Sequence, residues 1–347
     1  MRDFFEVPEF WNLVFLRRPR AITDKEADFY SFAVKWDSRH LKLVGPLANK
    51  EFQIEETYAG FASKYLTSLI PEAKKGYILI SGGRGFIGSF LAASLKLVGF
   101  KVDILSRSKT ADVYWNGESF ISRDLGLYDA IINLAGENIF SLFGWSAAKK
   151  KRILESRVNS TRLLVKYLTK ISSKPLLISV SGASIYCERE SWEDSSVDTS
   201  SFLGQVSKLW EDEALQYDKT SIFRLPIVLG RSSKIVGLAK TVGFFPVFNK
   251  KLDISWIAVE DILKAILLAL EGKLPPITNL SAGFLPTSSF YGALQSSTVE
   301  IPRFLQWIFK NDFFKELLGR SVRVKSKYFN PNIRDLDSYA KFLLNDC

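Results

Sequence analysis

Residues 77–95 read Tyr77-Ile78-Leu79-Ile80-Ser81-Gly82-Gly83-Arg84-Gly85-Phe86-Ile87-Gly88-Ser89-Phe90-Leu91-Ala92-Ala93-Ser94-Leu95. An apolar run of strand length enters a glycine cluster and leaves it as a segment of helical character. The cluster satisfies G-x-x-G-x-x-G through Gly82, Gly85 and Gly88, and G-x-G-x-x-G through Gly83, Gly85 and Gly88. Early glycines allow a tight turn and let backbone amides approach a pyrophosphate, while the last lets the helix pack closely on the strand. The helix start then offers unpaired N–H groups and the positive end of its dipole to an anion. Strand, turn and helix together predict a dinucleotide cradle over residues 82–88, including the backbone of Phe86 and Ile87. A structural turn that binds nothing is the competing interpretation.

Outward from that turn, apolar runs alternate with amphipathic stretches. The runs at 77–81, 101–106, 129–134, 175–180, 220–229 and 277–281 are of strand length, and 86–98, 145–170, 202–217 and 259–271 carry helical spacing. This alternation predicts βαβ units and a parallel sheet. Continuous runs such as Ala130-Ile131-Ile132 and Leu176-Leu177-Ile178 suit central strands covered by helices on both faces. The fold class is therefore α/β: a Rossmann-type doubly wound parallel sheet, with a smaller C-terminal cap region and an N-terminal extension. The expected division is an extension of unassigned role at 1–75, a dinucleotide-binding domain at 76–230, and a cap at 231–347 that returns elements to the sheet. Helices are expected in the cap at 301–318 and 335–345.

Composition narrows the chemistry. In 347 residues, 47% hydrophobic and 24% charged side chains suffice for a buried core. Forty-seven Lys and Arg against 37 Asp and Glu give +10, which favours anionic partners without selecting one. His40 is the only histidine, so a Ser-His-Asp triad is excluded unless His40 serves, as is any multi-histidine metal site. Cys187 and Cys347 cannot build a disulfide framework, and a reducing, cytoplasmic setting is expected. Asp3, Glu6 and Glu9 argue against a targeting peptide, and no uncharged apolar run reaches the roughly 18 residues of a membrane span. Lys149-Lys150-Lys151-Arg152 is consecutive on a helix, so its charges point around the axis and form no one-sided phosphate stripe; nucleic-acid binding is not expected. Trp145, Trp210 and Trp256 suit packing anchors.

The second strand, Lys101-Val102-Asp103-Ile104-Leu105, ends in Ser106-Arg107-Ser108, about where an NAD-selective fold places its ribose-binding carboxylate. A guanidinium there holds an adenosine 2′-phosphate, which favours NADP(H) over NAD(H), with Ser106 and Arg107 as contacts. A merely solvated loop arginine is the alternative.

With Asp129-Ala130-Ile131-Ile132-Asn133-Leu134-Ala135-Gly136-Glu137-Asn138-Ile139 added to the turn and the tip arginine, the chain resembles the atypical extended short-chain dehydrogenase/reductases, in particular the epimerase-family branch, also labelled sugar-nucleotide-epimerase-like. The resemblance spans 77–347. It also rests on Trp145, Lys151, Ile153 and Ser156-Arg157, Ile178-Ser179-Val180-Ser181, Trp210-Glu211, Arg224-Leu225-Pro226-Ile227-Val228-Leu229-Gly230, and Ser255-Trp256-Ile257 before Glu260-Asp261. It implies cofactor contacts at Leu134, Ala135 and Arg157, although a helix-surface salt bridge accounts for Arg157 equally well.

The same resemblance exposes a gap. An active member uses Tyr-x-x-x-Lys on one helix, where the lysine lowers the tyrosine's pKa for proton exchange. No such pair exists here, and alignment on Trp210-Glu211 puts Leu203 and Ser207 in those places. Ser181 matches the family serine, and Tyr186 is the nearest phenol to substitute as acid/base; a loop-capping hydroxyl and a packed aromatic are the alternatives. Glu260-Asp261 is expected to open a helix rather than form a catalytic pair. Further departures are Ile185-Tyr186-Cys187, Arg231-Ser232-Ser233-Lys234 and Ala258, where the family carries a double tyrosine with glycine, a glycine cluster and a histidine. The expectation is an NADP(H)-binding oxidoreductase or epimerase-like protein acting on an unidentified small molecule. A cofactor-binding scaffold or redox sensor with little turnover is the rival. Oligomeric state is left open.

Overall fold

A computed structural model of the chain describes residues 76–97, 99–115, 122–141, 144–186, 190–306 and 311–344, together with strands β1 (Lys35–Asp37) and β2 (His40–Lys42), which pair antiparallel. The rest of the expected extension, Cys187 and Cys347 lie outside the described residues.

Seven parallel strands form the central sheet in the order β13-β9-β7-β6-β3-β4-β5. They are β3 (Tyr77–Ser81), β4 (Lys101–Ser106), β5 (Val113–Tyr114), β6 (Ala130–Asn133), β7 (Leu176–Gly182), β9 (Thr220–Leu225) and β13 (Ile277–Asn279). The order runs outward from β3 in both directions, so β3 and β6 flank the point where the chain's winding reverses. Alternate residues serve opposite cores. Ile78, Ile80, Ile132, Ile178 and Phe223 point into one cluster with α1 (Phe86–Leu97) and a later helix, Val259–Leu270. Leu79, Ile131, Leu177 and Ile222 point into the other, under α2 (Ala147–Leu168) and α3 (Phe202–Ala214). That two-sided burial is why these strands read as unbroken apolar runs. Serine hydroxyls start both helices: Ser146 accepts the Lys149 amide and Ser201 the Gly204 amide.

The run at 220–229, expected as one strand, is two. Pro226 has no N–H to continue a ladder, and after it β10 (Ile227–Leu229) leaves the main sheet to pair with β12 (Asp253–Ala258), itself paired with β14 (Gly283–Pro286). Between them lie α4 (Lys234–Val242) and β11 (Phe244–Val247); β11 pairs in parallel with β15 (Ser297–Glu300). Helix α5 (Val259–Leu270) follows β12 directly, α6 (Thr287–Ala293) follows β14, and α7 (Arg303–Gln306) and α8 (Asp312–Leu318) follow β15. Two short strands, β8 (Glu190–Ser191) and β16 (Arg323–Val324), pair in parallel. The region after 231 thus supplies β13 to the main sheet and two helices, α7 and α8, in place of the one expected at 301–318.

The last helix, α9 (Leu336–Leu344), is anchored on α5. The Glu260 carboxylate accepts the Tyr339 hydroxyl at 2.6 Å, and Asp261 accepts the Asn332 and Ile333 amides at 2.8 and 3.1 Å. Glu260 and Asp261 open α5 as expected, and their side chains are buried in structural contacts. Trp145, Trp210 and Trp256 are all buried packing residues.

Candidate functional site

The glycine turn lies at the reversal point. Gly82 has φ +77°, and a Cβ on it would stand 2.7 Å from the Leu134 carbonyl oxygen, so a side chain is barred by both conformation and space. A Cβ on Gly83 would meet Ile104 at 2.3 Å, and one on Gly88 would meet the Gly82 oxygen at 2.4 Å and the Gly83 Cα at 2.7 Å. Gly85 differs: its Cβ direction meets only the Gly82 oxygen, at 3.3 Å, and the residue is exposed. Gly82 and Gly88 are therefore required by backbone packing and Gly83 is crowded by the Ile104 side chain, whereas Gly85 presents an open face. That face, beside the start of α1, is a cradle that a side chain would fill, and it fits a pyrophosphate. The Phe86 ring turns away, toward Gly230, and Ile87 packs on the core.

At the tip of β4, Ser106 accepts the Ser108 amide through its hydroxyl, and Arg107 is exposed. Arg84, on the glycine turn, reaches the Thr110 hydroxyl at 3.4 Å, which brings a second guanidinium to this loop. The glycine pattern alone gave Arg84 no role, since it fell on an "x" position. Asp103 lies inside β4 with its Oδ2 engaged by the protein: it accepts the Tyr128 hydroxyl at 2.8 Å and pairs with Arg123.

The strand-end element Asn133-Leu134-Ala135-Gly136 abuts the turn, and the Leu134 amide donates to the Ser81 carbonyl. Asn133 donates to the Thr161 hydroxyl at 2.8 Å, and the Trp210 indole donates to the same oxygen at 2.9 Å, so β6, α2 and α3 share one buried knot. Arg157 lies flat against Gly136, where a Cβ would come within 2.9 Å of the guanidinium carbon. It donates to the Glu137 and Ile153 carbonyls and stacks over Trp210 at 5.3 Å. Burial lowers its pKa to about 10, with Glu137 opposing the shift, so it stays cationic at neutral pH.

Ser181 ends β7, and its hydroxyl is buried with no hydrogen-bond partner among the described residues; the Ser179 hydroxyl shares that condition. A Cβ on Gly182 would meet the Ser184 and Ser207 hydroxyls at 3.0 and 3.1 Å, so Ser207 does stand against the strand end that carries Ser181. Tyr186 is fully buried. Its hydroxyl donates to Asn279 at 2.6 Å and accepts from Arg224 at 2.8 Å, while Arg224 forms a two-pronged pair with Glu211 at 2.9 and 2.7 Å. Burial raises the phenol's pKa, only partly opposed by Arg224. The geometry thus separates the two sequence candidates. Ser181 has an uncommitted hydroxyl, and Tyr186 has both hydrogen-bonding directions occupied by the fold.

Where the family's tyrosine would stand, Leu203 packs with Trp145, Val206 and Phe313. Helix α8 is docked onto this cluster. Glu316 accepts the Phe202 and Leu203 amides at 2.7 and 2.9 Å, Asn311 exchanges hydrogen bonds with the Trp145 backbone at 2.8 and 3.1 Å, and Asp312 pairs with Lys150. A carboxylate from α8 therefore occupies the positive end of α3. The Lys149–Arg152 run is likewise divided: Lys149 and Arg152 pair with Glu137, Lys150 with Asp312 and Lys151 with Glu155.

Residues 78–240 match the NAD dependent epimerase/dehydratase family. The epimerase family protein YfhF of Bacillus subtilis is 32% identical over 213 residues, covering 56% of this chain and 70% of that protein. The crystal structure of human epimerase family protein SDR39U1 (isoform 2) with NADPH superposes with a TM-score of 0.68 at 27% identity, over 77% of this chain and 99% of that one. A nucleoside-diphosphate sugar epimerase from Corynebacterium glutamicum has a TM-score of 0.62 at 20% identity, over 84% of this chain and 63% of that one, a likeness of fold alone.

Proposed function

The chain belongs to the NAD dependent epimerase/dehydratase family, and from that premise we propose that it binds NADP(H) and acts as an oxidoreductase or epimerase-like enzyme on a small molecule. The observation that carries the proposal is the open face of Gly85 at the reversal point between β3 and β6, beside glycines that the fold itself requires. Backbone amides at 82–88 would hold the pyrophosphate, Leu134 and Ala135 would lie along the adenosine half, and Arg157 would present its charge beside Gly136. Arg107 and Arg84, with Ser106, would hold the 2′-phosphate, a choice supported by the commitment of Asp103 to Tyr128 and Arg123. The human relative bears NADPH in its crystal structure, which supports the same preference.

When bound, the nicotinamide would supply or accept a hydride. The chain's own contribution would come from the Ser181 hydroxyl, placed to donate to a substrate oxygen at the end of β7. Tyr186 would act as a tie between β7, β9 and β13, and we assign it no proton transfer. The Leu203 cluster favours a second reading, a scaffold or sensor with little turnover, because an apolar contact replaces the usual proton donor.

Calorimetric titration separates these claims. NADPH is expected to bind more tightly than NADH, and Arg107→Glu to cost NADPH roughly tenfold to 150-fold, the worth of a charge-assisted contact of about 1.5–3 kcal/mol. Equal affinities for the two cofactors would refute the preference. Cofactor oxidation across aldehydes, ketones, quinones and sugars, lost in Ser181→Ala, supports catalysis; tight binding without turnover selects the scaffold.

A further inference from the structure

The segment 231–252 reads Arg-Ser-Ser-Lys-Ile-Val-Gly-Leu-Ala-Lys-Thr-Val-Gly-Phe-Phe-Pro-Val-Phe-Asn-Lys-Lys-Leu, with five cations and no acid. Its centre forms α4 and β11, and the nucleotide site makes no use of it. In β11, Phe245 and Val247 turn inward, and Phe245 stacks on Tyr291 at 4.1 Å. Phe244 and Pro246 turn outward; opposite them in register are Ser297 and Val299. Phe244 is 48% exposed, Val299 53% and the neighbouring Val242 46%. Just past β15, Phe304 is 73% exposed, and Gln306, two residues on, donates to the Phe248 carbonyl, which fixes α7 at the C-terminal end of the strand pair. Lys250 and Lys251 are exposed at that same end, and Lys240 lies at the other. Glu300 is the one acid within the two strands.

We propose that this outer face of β11 and β15, with Phe304, seats the protein peripherally on an anionic lipid bilayer. Exposed apolar side chains gain by entering the headgroup boundary, and lysines around them meet negative headgroups. Two features favour a bilayer over a second copy of the chain. Pro246 lacks the N–H that edge-to-edge strand pairing needs. The like charges of Lys250 and Lys251 would repel the same surface of another copy. No helix among the described residues is long and apolar enough to cross a membrane.

Co-sedimentation of the full chain with vesicles of phosphatidylcholine, with and without phosphatidylglycerol, tests the assignment. The protein is expected to partition onto the anionic vesicles only, less so as salt rises. Lys250→Ala and Lys251→Ala should each weaken partitioning about fivefold, and Phe244→Ser with Phe304→Ser should abolish it. NADPH affinity in these variants reports an intact fold and is expected to be unchanged. Failure to bind anionic vesicles overturns the proposal, as does binding that survives both sets of substitutions. A concentration-dependent dimer that Phe244→Ser abolishes, with no vesicle binding, gives the face to a second copy and overturns it equally.

Discussion

Gly85→Ala and Gly88→Ala should part company, and the contrast isolates cofactor binding from folding. At position 85 the new methyl meets one atom, the Gly82 oxygen at 3.3 Å, and the backbone is not left-handed. The entropic gain of replacing glycine, about 0.4–1 kcal/mol, roughly offsets that contact and the poorer helix cap, so stability should change by less than about 1 kcal/mol. The methyl nevertheless projects into the face where amides must close on the pyrophosphate. Losing one charge-assisted hydrogen bond costs about 1.5–3 kcal/mol, a tenfold to 150-fold loss of NADPH affinity. At position 88 the methyl meets backbone at 2.4 and 2.7 Å, and backbone cannot rotate aside. Overpacking of that kind costs about 1–3 kcal/mol or more, so melting temperature and affinity should fall together. Urea denaturation and calorimetric titration on both variants decide the matter. Wild-type affinity in Gly85→Ala, or a stability loss equal to that of Gly88→Ala, would refute the assignment of the open face to a ligand.

Tyr186→Phe should cost about 1–3 kcal/mol of stability, since Arg224 and Asn279 lose their shared hydroxyl, with NADPH affinity unchanged; unchanged stability with lost turnover would return the tyrosine to catalysis. Arg224→Met strands a buried carboxylate on Glu211 and should cost about 3–5 kcal/mol by urea denaturation, most of it recovered by adding Glu211→Leu. Burial pushes the Glu260 carboxyl up from 4.5 to about 7, against the hydrogen bond from Tyr339. Because the folded state holds that proton longer than the unfolded chain, the group's contribution is full below 4.5 and is lost as pH rises toward 7, by on the order of 3 kcal/mol. Glu260→Gln should remove this dependence, so that its stability relative to wild type rises between pH 5 and pH 8; a constant difference would refute the shift.

Six of the seven strands of the central sheet were legible because burial on both faces writes itself as uninterrupted Ile, Leu and Val; the two-residue edge strand β5 (Val113–Tyr114) is too short to carry a period and was not expected. Legibility stopped where partners are remote. The split at Pro226 carries a local signal, a residue without an N–H, but the partner strand β12 begins some distance on and gives the run no reason of its own to divide. Tyr186 looked available as an acid because no pattern announces that Asn279 and Arg224 lie on either side of its hydroxyl. Glu316 likewise caps α3 across the whole cap region, and a lone glutamate in a short helix has no sequence signature for that task. Arg84 was overlooked because motifs weigh glycines and treat the residues between them as free.

Strand β13 joins the sheet beside β9 only after the chain has passed through β10, β11 and β12. A ribosome that has released residues 76–230 has therefore delivered a sheet with a bare flank along β9. That edge stays open to mispairing until Ile277–Asn279 emerges, so nascent chains stalled between the two should be the species that chaperones retain.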